Sequence, residues 1–364
     1  EKNEDSAYVD NPPGTVAIVD VSDPDAPAAQ LVGFDVPIFL EPLLRDTLGV
    51  RLQAGVRFGD DAEPEYVAVS EDGTTAFVSL QENNAIAEID IASATLTDVF
   101  GLGTVDFASE SALDPNDDGQ IQIRNVPGLV GLRMPDAIAS FDDADGETYV
   151  VTANEGDSRG FDEERVGDLA ADGRLDPALV ATLTAEGLLD DDPETELGLE
   201  RLEVSTQDGD TDGDGDIDVL HTFSSRSFSI FDADGNLVFD SGSQFEEITA
   251  AIAPERFNDD EGDVDEDRSD AKGPEPEAVE IGEIDGRKYA FIGLERDSGV
   301  MIYDVTTPAD AFFVNYIPPV FADDAAPGEL ARQAPEIVEF IASDDSATGE
   351  PQIAVSYEES GTTA

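Results

Sequence analysis

The chain has 364 residues, 40% of them apolar and 19 of them Phe, enough to bury a sizeable core, and it carries 85 acids against 18 bases for a formal net charge of −67. No basic stripe exists to meet nucleic acid or an anionic membrane surface, and the absence of Cys excludes disulfides, thiolate metal sites and Cys nucleophiles. Repulsion on this scale opposes compaction unless salt screens it, and molar salt shortens the screening length to about 3 Å; an acidic chain with only Lys2, Lys272 and Lys288 for lysines therefore reads as one adapted to a high-salt habitat, the other reading being an acidic calcium-rich secreted protein of ordinary seawater.

The chain opens on Glu-Lys-Asn-Glu-Asp, with neither an initiator Met nor a basic region leading into an apolar one, and reads as a processed or trimmed product. No apolar run approaches the roughly 18 residues of a membrane helix, so no membrane insertion is expected. Gly14–Pro24 matches Gly299–Pro308 almost position for position, which makes residues 14–21 a third strand without its own first and second. From Pro64 the pattern becomes regular: Glu65–Ser70, an Asp72-Gly73 turn, Thr75–Leu80, an Asn83-Asn84 turn and Ala85–Ile91 form a three-stranded antiparallel meander. The same order is partly repeated at 135–160 and recurs at 274–308, and a hairpin around Asp234-Gly235 forms a further unit. Residues 335–364 supply a first strand, a second strand and a turn, so residues 14–21 are expected to dock beside 352–357 and close a ring; the other reading is a trimmed C-terminal strand. Residues 162–200, with Leu169, Leu175, Leu179, Leu183 and Leu188, read as a short helical insertion, and 244–273 as a second insertion dominated by the polar loop 255–273.

Four times a Pro-acid pair opens a strand and a lone Glu ends the next one: Pro64-Glu65 with Glu82, Pro135-Asp136 with Glu155, Pro276-Glu277 with Glu295, and Pro335-Glu336 with Glu358. Repeats of this kind mark an array of similar units, here an all-β propeller occupying residues 1–364 as one domain. In a closed ring the equivalent acids meet at the channel. There they either cap strand ends or jointly hold a hard cation such as calcium, with room for a second divalent metal.

Two loops carry a separate calcium signal. In the register starting at Asp210, carboxylates occupy positions 1, 3 and 5, Gly215 stands at the sharp turn and Ile217 at the apolar eighth position, with Asp216 and Asp218 adding oxygens. Position 12 is His221, not Glu. Asp114, Asn116, Asp118, Gly119 and Ile121 repeat the pattern more weakly, with Asn125 at the twelfth position. His221 itself reads as an ordinary strand residue. The scarce arginines Arg159, Arg226, Arg268 and Arg296 fall in or beside the acidic motifs, where they either pair with the acids or grip an anionic ligand in a planar fork.

Gln81-Glu-Asn-Asn-Ala, Ala153-Asn-Glu-Gly-Asp-Ser-Arg, Arg226-Ser-Phe-Ser-Ile, Arg268-Ser-Asp-Ala-Lys-Gly-Pro-Glu-Pro-Glu and Gly293-Leu-Glu-Arg-Asp-Ser-Gly resemble the choice-of-anchor I family over about residues 64–360. The resemblance implies a secreted or surface-tethered β-propeller, seven-bladed, of the group labelled alkaline-phosphatase-like. The chain departs from the family in its acidity, a shortened opening blade and the lack of an anchor after Ala364; without Cys, an iron centre of the related iron-and-calcium phosphatases is not expected. On that basis Glu82, Glu155, Glu277 and Glu295 would hold calcium that polarises phosphate and activates water. Glu155 and Glu295 would act in catalysis with Arg159, Arg226 and Arg296, which would bind the ester oxygens. The rival expectation is a non-catalytic surface or filament-associated scaffold that binds protein or glycan.

Overall fold

The computed structural model describes residues 12–190, 198–259, 266–320 and 332–363. Residues 191–197 of the expected helical insertion and 260–265 of the polar loop lie outside this description. Strands β1 (Thr15–Asp20) and β2 (Ala28–Gly33) form an antiparallel pair, and after the short helices α1 (Glu41–Asp46) and α2 (Phe58–Asp61) the first full meander begins: β3 (Pro64–Val69), β4 (Thr75–Leu80), β5 (Ala85–Asp90) and β6 (Thr95–Gly101). β7 (Thr104–Asp106) and β8 (Leu129–Leu132) are followed by β9 (Ile138–Asp142) and β10 (Thr148–Ala153). The excursion that follows holds β11 (Glu163–Arg165), α3 (Val166–Ala171), α4 (Pro177–Ala185), β12 (Glu203–Ser205) and β13 (Leu220–Thr222). The hairpin β14 (Phe228–Asp232) and β15 (Leu237–Asp240) returns to pair β14 with β10, so the unit read as separate is instead the delayed outer half of the 138–153 sheet. Helix α5 (Gln244–Ile252) leads to the second full meander, β16 (Pro276–Ile284), β17 (Arg287–Leu294), β18 (Val300–Asp304) and β19 (Phe312–Ile317). The last sheet contains β20 (Pro335–Ile341), β21 (Gln352–Tyr357) and β22 (Thr362–Thr363).

The meanders form where alternating Val, Ile and Phe runs are broken by Asp-Gly turns. Gly73 and Gly286 both take φ above +70° there, the left-handed backbone that glycine adopts without strain, and Asp285-Gly286 forms a two-residue turn with Asp285 also at positive φ. Four first strands pack side by side in the order β3, β9, β16, β20, the propeller-like arrangement that gathers their N-terminal ends. Among the described residues there are seven sheets, but only three have four strands and none closes on itself. The expected closure by the N-terminal strand is not seen. β1 pairs with β2 along its whole length and places Val16 and Ile18 against the β3–β6 sheet, while β21 takes its third partner from Thr362–Thr363. The local match of Gly14–Pro24 to a third strand thus specified a strand but not its neighbour, because register and partner depend on the face that packs.

The helical insertion is as expected in character. Leu169, Leu175, Leu179, Leu183 and Leu188 are buried together with Val204 and Leu220 in a core of their own, and Asp176 caps α4 by accepting from the N–H groups of Ala178 and Leu179. A second core around Phe228, Phe245 and Tyr303 joins the β9–β15 and β16–β19 sheets, with the Phe228 and Tyr303 rings edge to face at 4.7 Å. Among the described residues no helix is long and apolar enough to cross a membrane.

Candidate functional site

The N-terminal ends of the four first strands surround a cavity of about 580 Å³, and all eight repeat acids line it: Glu65, Asp136, Glu277 and Glu336 from the strand openings, Glu82, Glu155, Glu295 and Glu358 from the strand ends. Their convergence has a backbone cause. In three of the four units the ladder slips just after the Pro-acid pair, between Pro64 and Val67, Pro276 and Ala278, and Pro335 and Ile337. A bulge at the start of a strand re-aims the extra side chain, here an acid. The entry is also fixed from the other side: Met134, Glu275 and Ala334, each preceding the Pro, hold φ between +45° and +54°. Their carbonyls accept the N–H groups of Gly156, Glu295 and Glu358, respectively, at 2.8–2.9 Å. The left-handed conformation costs about 1–2 kcal/mol at each non-Gly residue; it joins the end of each second strand to the start of its first.

Two carboxylate trios have oxygens mutually within 4.8 Å: Asp136, Glu155 and Glu277, and Glu155, Glu275 and Glu295. That separation suits a calcium shell, in which oxygens at about 2.3–2.6 Å from the ion sit up to roughly 5 Å apart. The two trios differ in what neutralises them. Lys272 Nζ lies 2.5 Å from Glu155 and 3.1 Å from Glu275, Arg268 pairs with Glu275 at 2.6 Å, and Arg296 reaches Glu275 at 3.3 Å and Glu295 at 3.1 Å. The second trio therefore has built-in cations, and the first, facing the cavity, has among the described residues only the Lys272 contact at Glu155. Burial works to raise the Glu275 carboxyl, but Lys272, Arg268 and Arg296 together hold it below the ordinary range. The others go the opposite way. Burial, with Glu155 and Asp136 alongside, pushes Glu277 up to about 12; burial and Glu275 push Glu295 to about 8; and burial outweighs Lys272 to leave Glu155 at about 7. Glu82 is raised well above its usual value by burial and by Glu63, and its Oε2 is buried without a hydrogen-bond partner. Acids so placed keep protons unless a cation replaces them.

Of the three arginines expected to grip an ester, the structure brings only Arg296 to the cavity wall. Arg159 is buried behind that wall, where it pairs with Glu63 at 3.1 Å and Asp61 at 3.5 Å. Arg226 lies elsewhere. Its guanidinium donates to Glu246 at 2.6 Å and to the carbonyls of Asp114, Ser269 and Ala271, leaving no face for a substrate. Its place as an ester-binding residue does not fit this geometry. Sequence reasoning missed Lys272 and Glu275. The available signal was that one of only three lysines falls inside the Arg268–Glu277 motif, next to a doubled Pro-Glu.

The acidic loop packs beside the start of α4, Ile217 bridging Leu175. Asp210 accepts from Gly213 and Gly215, Asp218 from Thr211, and Asp212 and Asp214 from the N–H two residues on. Asp210, Asp212 and Asp218 form one trio within 4.8 Å, and Asp176, Asp216 and Asp218 form another, so the α4 cap residue joins the group. Burial and Asp214 push Asp216 to about 6. In the weaker loop Asp114 is fully buried and raised to about 6, chiefly by burial and against the Gln122 N–H that it accepts. His221 is half-buried on β13, its Nδ1 3.0 Å from the Val219 carbonyl, and lines a separate cavity of about 760 Å³ with Arg51 and Asp208.

A family model described as the choice-of-anchor I domain matches residues 1–308. Among curated proteins the chain is similar to the mesenchyme-specific cell surface glycoprotein of Strongylocentrotus purpuratus, 27% identical over 280 residues that make up 68% of this chain and 35% of that protein. It is also similar to Gigasin-3a of Magallana gigas, 37% identical over 112 residues, 29% of this chain and 39% of that one. The chain spans 35% and 39% of the length of these two relatives. Among solved structures, a functionally unknown protein from Desulfotomaculum acetoxidans DSM 771 aligns with a TM-score of 0.36 at 10% identity, over 96% of this chain and 61% of that one. The β-propeller domain of Cps50 (Swd1), titled as from Myceliophteria thermophila, aligns at 0.36 and 8% over 96% and 63%.

Proposed function

The chain belongs to the choice-of-anchor I family, and from that premise we propose that it is an extracellular or cell-surface calcium-binding domain whose acidic cavity holds a divalent cation between Asp136, Glu155 and Glu277. The observation that carries this reading is the convergence of all eight repeat acids on one cavity, with that trio within 4.8 Å and, among the described residues, only Lys272 paired to it. The resemblance to a cell surface glycoprotein supports the location. The net charge of −67 supports a high-salt setting, where screening offsets the repulsion. The cavity's ion would rigidify the four first strands, and the faces around it would meet a neighbouring surface protein or glycan.

Calcium uptake must displace protons. With Glu155 at about 7, Glu295 at about 8 and Glu277 at about 12, ion binding at neutral pH strips carboxyls that otherwise keep their protons. Titration calorimetry in buffers of different ionisation enthalpy is expected to show about one proton released per cavity ion at pH 7, and less in Glu277→Gln. Heat independent of buffer would overturn the cavity site. The stability of ion-depleted protein follows the same sign. A carboxyl raised above its unfolded value of about 4.3 contributes stability that is full below that pH and is lost as pH rises through the folded value. Ion-depleted protein is therefore expected to weaken from about pH 4.3 upward, through the Glu155 and Glu295 values of about 7 and 8 and on toward that of Glu277, and calcium to remove that decline, read from denaturant midpoints across the range.

A second reading, hydrolysis of a phosphate ester, is favoured by Arg296 on the cavity wall and Lys272 at Glu155, where they would meet ester oxygens on a metal-polarised phosphate. On this reading a generic phosphomonoester is hydrolysed at molar salt, and both a chelator and Glu295→Gln abolish turnover. A folded, calcium-loaded protein without turnover leaves the binding domain as the function.

A further inference from the structure

The weaker calcium loop lacks an acid at its twelfth position. Asn125, which stands there, turns its amide nitrogen to the carbonyls of Phe107 and Ser111 at 3.1 and 2.6 Å, away from any ligand role for that group. A carboxylate reaches the loop from elsewhere. Glu266, 146 residues further along, accepts from the Gln120 N–H at 2.7 Å through Oε1, and the same N–H is 3.0 Å from Asp118 Oδ1. Two carboxylates therefore meet on one amide at the tip of the loop, with buried Asp114 at its base. Between them in sequence, Asn116 is 6% exposed and its Oδ1 is buried with no hydrogen-bond partner, while its own N–H is turned to Asp114. A buried amide oxygen without a donor costs about 1–3 kcal/mol unless something else satisfies it. A hard cation is what a buried amide oxygen of this kind, two residues from Asp114 on one side and Asp118 on the other, is suited to satisfy.

We propose that Glu266 supplies the acid that the Asp114–Gln122 loop lacks, so that calcium bound by Asp114, Asn116, Asp118 and Glu266 fastens the segment 266–275 to the loop and thereby sets the cavity's own cations in place. The segment is already tied to the loop at two points. Arg226 donates to the Asp114 carbonyl on one side and to the Ser269 and Ala271 carbonyls on the other, and Arg201 bridges Asp117 at 3.0 Å and Asp270 at 2.9 Å. Two residues beyond Asp270, Lys272 meets Glu155, and at the end of the segment Glu275 receives Arg268, Lys272 and Arg296. Beside these and the Gln120–Glu266 hydrogen bond, the ion is the tie that depends on solution conditions. Calcium outside the cavity thus decides whether Lys272 and Glu275 are held at the cavity wall. The inference rests on calcium binding by the loop and not on an ion in the cavity.

The test uses the full chain with calcium alone as the probe. Hydrogen exchange of residues 266–275, followed with and without calcium, is expected to slow at least about tenfold with the ion in wild type, and this protection is expected to vanish in Glu266→Gln together with one calcium from the measured stoichiometry. Glu277→Gln, which alters the cavity and not the loop, is expected to keep the protection; the two sites thus fail separately. Should Glu266→Gln not fold, Glu266→Asp serves, and its shorter side chain is expected to weaken the loop's calcium affinity by roughly tenfold. Undiminished stoichiometry and calcium-dependent protection in either variant would falsify the assignment.

Discussion

Gly156→Ala is expected to leave the protein unable to hold its native fold. Gly156 has φ of +83°, and a Cβ built there would sit 1.3 Å from the carbonyl oxygen of Phe223 and 2.3 Å from its carbonyl carbon. Both obstructing atoms are backbone, so no side chain can swing aside. The two segments would have to part, although Asn154 N donates to Ser227, the Ser224 hydroxyl to Asn154, and Gly156 N to Met134. The loss is expected to exceed about 4 kcal/mol, the range of exceptional single substitutions. Gly146→Ala isolates the backbone part. Its φ is +81° but nothing lies within 4 Å of the added Cβ, so a loss of only about 1–2 kcal/mol is expected. Urea midpoints of the two variants give the comparison, and similar losses in both would show that the close approach of Phe223 does not govern this position.

Arg226→Met is expected to cost about 3–5 kcal/mol, the usual consequence of removing one member of a buried ion pair. The side chains of Arg226 and Glu246 are 2% and 1% exposed. Removing the guanidinium leaves Glu246 without its cation and the carbonyls of Asp114, Ser269 and Ala271 without its N–H groups. Adding Glu246→Gln is expected to return part of the loss, because Glu246 also accepts from Asp114 N and Asn258 Nδ2 and an amide oxygen retains one of these bonds. A double-mutant cycle on unfolding free energies measures the coupling. Arg226→Met with unchanged stability would restore the alternative in which this arginine serves a ligand.

The sequence made the acids legible and their company much less so. Glu65, Asp136, Glu277 and Glu336 could be aligned because each follows Pro, and Pro with an acid marks a strand start where a bulge is tolerated. Their meeting in one cavity followed from repetition alone. The arginines were harder to assign. Arg159, Arg226 and Arg296 share similar local motifs, yet one lines the cavity, one lies behind its wall and one holds two distant segments together. Nothing within a few residues separates these fates, because a guanidinium goes to whichever carboxylates and carbonyls the tertiary fold leaves unpaired. The ring closure was misplaced for a related reason: β1 carries the pattern of a third strand, but its partner is the adjacent β2, a hairpin whose loop closes at little entropic cost compared with a contact across the whole chain.

The bulged strand openings separate what the cavity holds from what keeps the sheets together. Glu65, Glu277 and Glu336 stand where the ladders of β3, β16 and β20 slip, and the inter-strand hydrogen bonding resumes only beyond them. Exchange of one acid for an amide or a hydroxyl therefore leaves the cross-strand pairs that define each sheet as they are. Each of the four sheets around the cavity contributes one acid from its opening and one from the end of its second strand, so the cavity's lining can change on a different clock from the architecture.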